Sequence, residues 1–429
     1  MGQYAGYQAS GLKQSNFLGN AAGQNATNAE FSNFLGASAG FNSTNAYHSN
    51  FFGSNAGRDA ATGQYSNFFG FNAGREAVNA NNSNFFGWFA GYQASGASNS
   101  NFLGNYAGQQ ATNANRSNFF GLNAGNGARN AADSNFFGNL AGQSAIAAVY
   151  SNFLGFQVGY QASGAEISNF LGYQAGYQAS GASHSFFAGY RAGYQAPNAN
   201  NSIFIGRSAG VNDTVNNATN KSSILIGNYT STSGYSDSIA IGQGVANSAT
   251  QQLNIGNVLY ATNINNATTP TSTPVLGRVG VRVANPQYTL DINGSGNFSS
   301  GIYVSGNSTF YNNLSISGHL SATSKAFKIN HLSKPGKYLI HGASEAPEWT
   351  VFVRGKTDEP IISLPDYWSW LVHENSVTCT ITPIGKPMNL YIVEQTNEKI
   401  VIGGLEAGGS YNYIVYGERK DIDKLIPEI

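Results

Sequence analysis

Hydrophobic and polar positions repeat every 17 residues along the first half of the chain, in rows beginning at Ser15, Ser32, Ser49 and so on to Ser202. The third position is Phe in every row: Phe17, Phe34, Phe51, Phe68, Phe85, Phe102, Phe119, Phe136, Phe153, Phe170 and on to Phe204. The fourth is Leu or Phe except at Ala188 and Ile205, the fifth and ninth are Gly, and Ala dominates the eighth, twelfth and fifteenth. A short strand, a Gly turn, a second stretch pinned by Ala-Gly and a polar return such as "NATNAE" make one coil of a β-solenoid. Small residues at fixed places allow tight turns and close stacking. At about 4.8 Å per coil, the rows span on the order of 58 Å.

Neighbouring side chains on a strand point to opposite faces, so the third- and fourth-position rings cannot share one core. One face is expected to fill the coil's own interior and the other to pack against further copies of the chain. The Phe series from Phe17 to Phe170 is therefore assigned to core or trimer contacts, with a wide two-layer monomer as the alternative. The second-position Asn residues, Asn16 to Asn169, are expected to form an inward amide ladder, each amide partnered one coil away.

After Gly210 the register loosens into "SILIG" at Ser223, "SIAIG" at Ser238 and "LNIG" at Leu253. The stretch "SIAIGQGVANSATQQLNIG" resembles the head repeats of trimeric autotransporter adhesins, and the longer rows are similar to repeats of phage tail-fibre proteins. The resemblance implies a homotrimer; the residues themselves imply only an oligomer. Residues 261–274, polar and Pro-bearing, read as a linker. In 275–324, "LDING" at Leu290, "IYVSG" at Ile302 and "LSISG" at Leu314 recur every 12 residues with strand alternation. Each such unit is too short to bury its own face, which predicts an intertwined β-shaft. "VGVRVANPQYTLDING" resembles a segment common in phage fibres.

From 325 to 429 the periodicity stops. Alternating segments with turns at Pro335-Gly336 and Gly342 predict an antiparallel β-sandwich or barrel, with "IISLPDYWSWLV" read as one of its strands. The motifs K-x-F-x-I-x-H, Y-L-x-H, L-P-x-Y-W, T-P-I-G and E-R-K-D resemble a C-terminal β domain of phage fibres, with departures at "HLSKPGKY" and Ala346. The fold class is thus all-β: a solenoid rod over 1–260, linker, shaft and C-terminal knob.

Composition sharpens this picture. Only 10% of the 429 residues are charged and 53 are Gly, while aromatics reach 13%, which with a strict period argues against disorder. Charged residues number 15 in Met1 to Pro270 and 27 in the shorter remainder. The 21 basic and 21 acidic side chains balance, which disfavours nucleic acid or an anionic membrane as partner. Cys379 is the single cysteine, so no intrachain disulfide framework exists. No long apolar run or N-terminal leader is read. The first row is entered partway, so the chain is expected to be a piece of a longer fibre or to dock at its N-terminus on another protein of the particle.

His331, His341, Glu345 and Glu348 have the chemistry of metal ligands or acid/base groups, but their spacing fits no helix-borne zinc motif. No cofactor is expected. Paired carboxylates for glycan cleavage do not recur at one row position. Glycan binding needs aromatic platforms and amides instead: Trp88, Phe89, Tyr106, Tyr173 and Tyr190 follow the Gly turn, and Tyr160, Tyr177 and Tyr194 form a second series. Stacking that merely stabilises the rod is the other reading of both. Trp349, Tyr367, Trp368 and Trp370 are the candidate receptor contacts of the C-terminal domain, or else its core or trimer contacts.

The resemblances imply an extracellular virion appendage: a non-catalytic homotrimeric tail fibre that attaches to a host surface receptor, a glycan, without membrane insertion. A bacterial trimeric surface adhesin, discriminated by a C-terminal membrane anchor not read here, is the alternative, and a glycan-degrading spike the third.

Overall fold

Each row folds as one coil in the computed structural model, which describes residues 2–214, 221–264, 277–299, 301–311, 314–317, 326–331, 334–342, 346–424 and 426. The chain divides into two compact units, 1–302 and 303–429. In the first, short strands from Asn16–Leu18 to Gln252–Ile255 stack in parallel. Register is strict: Asn50, Phe51 and Phe52 lie opposite Asn67, Phe68 and Phe69. A second line of parallel bridges runs through the thirteenth positions, as Thr44 to Ala61 and Ala61 to Val78. The loosened coils keep the stack, with Ser223–Ile226 pairing Ser202–Ile205 and Ile239–Ile241. It then changes direction: Leu259–Thr262 and Arg278–Val281 pair antiparallel, and Leu290–Ile292 joins in parallel.

The interior is made by one chain. Phe34 through Phe204 at the third position are fully buried together with the Ala ladders, and Phe17 is partly buried against them. Successive third-position rings lie face to face at 4.7–5.0 Å from Phe51 onward, as Phe51–Phe68 at 5.0 Å and Phe102–Phe119 at 4.7 Å. These Phe residues are core, and from Phe34 on they leave no ring surface for a sister chain. The trimer-contact assignment for that position is corrected accordingly.

Three features let so short a coil close. The fifth-position Gly lies against the next coil's backbone: a Cβ on Gly53 would sit 2.4 Å from the Gly70 carbonyl oxygen, at φ +135°. The first-position Ser is buried and bridges coils. The Ser83 hydroxyl donates to the Ala97 carbonyl at 2.6 Å and accepts from the Ser100 N–H at 3.1 Å. Finally, besides the fifth- and ninth-position Gly, four positions per coil take left-handed backbone, three or all four of them filled by non-glycine residues, in one coil Asn55, Asp59, Thr62 and Tyr65. Each is normally disfavoured by about 1 kcal/mol or more. Each also aims its N–H at the preceding coil, Asn55 at the Ala37 carbonyl (2.8 Å) and Tyr65 at that of Tyr47 (2.8 Å). Asn tolerates this region best, which accounts for Asn in the return loops.

Most of the linker, 265–274, and the end of the shaft, 318–324, fall outside the described residues. Among described residues, Ile302–Gly306 and Leu314–Ser317 form no strand, unlike the alternation predicts. Ile302, Tyr303, Phe310 and Tyr311 are bare, Tyr303 and Tyr311 at 93% and 96% exposure. A three- to five-residue strand has no stability without an edge to pair with.

The second unit holds an antiparallel hairpin, Ala326–Asn330 with Tyr338–Gly342, and two three-stranded antiparallel sheets. In one, Ser410–Glu418 lies between Thr350–Thr357 and Thr378–Ile384; in the other, Lys399–Gly403 lies between Ile361–Ser363 and Tyr391–Gln395. Ile362, Ile400 and Ile402 from one sheet and Tyr411 and Val415 from the other share one core. "IISLPDYWSWLV" is a strand only over Ile361–Ser363. Pro365 has no N–H to continue a ladder, and Trp368–Leu371 turns as a short helix whose Trp368 N–H donates to the Pro365 carbonyl at 2.9 Å.

Candidate functional site

The outer strand face of the solenoid carries two ladders. Second-position amides link coil to coil, Asn50 Nδ2 donating to Asn67 Oδ1 at 2.7 Å and Asn67 to Asn84 at 2.7 Å. This ladder faces outward rather than inward: in each strand the outer residues are half-buried while the middle Phe is closed off. Beside it runs the fourth-position row, where Phe52, Phe69 and Phe86 stack at 4.7 Å. From Phe186 on, the second position turns apolar as well, so Phe186 and Ile203 broaden the strip beside the fourth-position Ile205 and Ile226, each of the four more than a third exposed.

The turn after the strand carries aromatic ladders. Phe156–Tyr173–Tyr190 stack at 5.1 Å and Tyr160–Tyr177–Tyr194 at 5.0 and 4.9 Å, nearly parallel. Burial within the second ladder pushes the Tyr177 phenol up from its ordinary range. Ring faces here are spent on one another, while edges and hydroxyls face solvent. Trp88 breaks the pattern: it is tilted 46–59° to Phe71, Phe89 and Tyr106 and half exposed. Amides run alongside, Gln93 bridging Glu76 (2.8 Å) and Gln110 (3.1 Å).

In the C-terminal unit the four candidate aromatics separate. Trp368 is buried at 1% exposure in the core between the sheets and cannot touch a receptor, which corrects its assignment. Trp349 and Trp370 are exposed, and Trp349 Nε1 donates to the Asp423 carbonyl at 3.0 Å. Tyr367 is half-buried between His331 and His341, with ring centroids at 6.3 and 5.7 Å. Burial, then the Arg419 charge, hold the His341 imidazole below its usual value. Glu345 lies outside the described residues, and among those described no three His, Cys, Asp or Glu side chains converge on a metal-sized site. Burial pushes the Cys379 thiol up to about 11, so it is not a nucleophile near neutral pH.

The serine ladder and the left-handed return positions were the functional framework not read from sequence; invariant Ser at position one was their signal. Among described residues no helix is long and apolar enough to cross a membrane. No protein-family model matches the chain, and no curated protein matches it.

Proposed function

We propose that the protein is a non-catalytic structural fibre of a virion, assembled as a homotrimer and attaching to a host surface through a glycan. One observation carries this reading: the coil interior is complete within one chain, yet its outer face bears an unbroken apolar row from Leu18 to Ile255, half-exposed in a single copy. A row of that length is what sister chains would cover. The bare Tyr303 and Tyr311 of the shaft repeat support the same partner. Receptor contact in the C-terminal unit falls to Trp349 and Trp370, the exposed members of their group.

The solution mass tests the assembly: about three times 45.2 kDa is expected, and a monodisperse monomer removes the reading. Incubation with host polysaccharide is expected to give binding without chain shortening. Shortening would favour a glycan-degrading spike instead.

A further inference from the structure

We infer that the corner formed by Tyr190, Arg191, Tyr194, Arg207 and Tyr229 is a binding site for an anionic sugar residue of an acidic polysaccharide. The inference rests on the proposed attachment to glycans and specifies where on the solenoid and to what charge.

Elsewhere in the solenoid, three arginines come with a carboxylate: Arg58 with Asp59 at 3.2 Å, Arg75 with Glu76 at 3.0 Å, Arg116 with Asp133 at 2.6 Å. Among the described residues Arg129, Arg191 and Arg207 have no carboxylate partner, and of these three only Arg191 and Arg207 lie over aromatic rings. Between Glu166 and Asp213, Arg191 and Arg207 are the only Lys, Arg, Asp or Glu in the chain. Asp213 itself is buried and occupied, accepting from Thr232 Oγ1 at 2.7 Å and from Ser231 Oγ at 3.2 Å.

Both cations converge on one ring. The Arg191 guanidinium lies 5.4 Å from the Tyr190 centroid and 5.1 Å from that of Tyr194, and Arg207 lies 5.7 Å from Tyr190 and 5.6 Å from Tyr229. In row order Arg207 takes the place of the next rung in the Phe156–Tyr173–Tyr190 ladder, and Arg191 that of the next rung after Gln157 and Gln174. Arg191 Nε donates to Gln174 Oε1 at 2.8 Å, and neither terminal nitrogen has a protein acceptor among the described residues. The Arg207 side chain has no protein acceptor among the described residues. Aromatic flanks orient a guanidinium and strip part of its hydration, and its planar fork matches an oxyanion in two-point fashion. Two like charges gathered on one ring, on a surface nearly free of charge, are relieved by an anion between them. Tyr190 and Tyr229, 43% and 53% exposed, offer ring edge and hydroxyl to the sugar carrying that anion.

The test is a binding titration of the full chain with three oligosaccharides of about six residues: an oligogalacturonate, a sulfated oligosaccharide and neutral maltohexaose. The first two arms distinguish carboxylate from sulfate as the source of charge. Binding in at least one acidic arm is expected, weakened by raised salt and reduced at least tenfold in Arg191→Gln/Arg207→Asn. Both replacements occur at equivalent positions of other coils, Gln174 and Asn105, so an unchanged melting midpoint is expected. Equal affinity for maltohexaose, or acidic binding retained by the double variant, overturns the inference while leaving glycan attachment standing. Failure to bind either acidic probe overturns it as well, and a monomer in solution would remove the fibre reading without touching this site.

Discussion

The Phe51 ring lies 5.0 Å from that of Phe68, within 7° of parallel, and neither is reached by solvent. Truncating Phe68 to Ala is expected to lower stability by about 3–5 kcal/mol, since stacked coils cannot collapse into the void. Phe51→Asp with Phe68→Asp should disrupt the coils themselves, read as lost far-UV dichroism. Native dichroism in the double variant would count against the core assignment.

Changes on the opposite face should behave differently. Phe52→Ser, Phe69→Ser and Phe86→Ser together are expected to leave a single chain folded and to shift the assembly toward monomer. Sedimentation read alongside dichroism separates the two effects, and an intact trimer in that variant would place the interface elsewhere.

Ser83→Ala removes one hydroxyl but strands two backbone groups, the Ala97 carbonyl and the Ser100 N–H. A loss of about 1–3 kcal/mol is expected, measurable as a lowered denaturation midpoint. The half-buried Ser98, two residues before the next buried Ser, donates to the Asn79 carbonyl at 2.7 Å and is a control whose loss should cost less.

Gly53→Ala should be strongly destabilising, because the new methyl would meet the Gly70 carbonyl and the φ is unfavourable. Gly96→Asn should be nearly neutral. Its φ is +60°, the equivalent positions hold Asn79 and Asn113 in the same conformation, and the nearest atom to an added Cβ is 3.4 Å away. Thermal melts of the two variants check the contrast.

The C-terminal unit should lose stability on mild acidification. His341 titrates below its ordinary value when folded, because burial and then Arg419 disfavour the imidazolium, with Asp421 opposing them. The unfolded chain therefore takes up the proton first. Stability is full above about pH 6.5 and declines as pH falls from there toward the folded value. Urea midpoints at pH 7.5 and 5.5 should differ, and His341→Gln should reduce that difference.

Legibility from sequence followed repetition. The 17-residue period revealed the coil, its strand at Asn-Phe-Phe and its Gly turns, because every row restates the same steric demand. The period could not say which face was inner, since Phe at the third position and Phe at the fourth are chemically alike. "IISLPDYWSWLV" was misread over its second half because Trp and Leu suit a strand or a buried helical turn equally, and Pro365 was the deciding signal. Trp368 and Trp370 look equivalent in that string, yet one is core and the other exposed.

Sequence alone determined that the chain stacks: identical small residues at identical intervals leave the backbone few other ways to satisfy its hydrogen bonds. Tertiary structure decided the direction of each side chain. That depends on which side the coil closes, and closure is set by the left-handed residues of the return loops, whose conformation is held by hydrogen bonds to the preceding coil rather than by their own preferences.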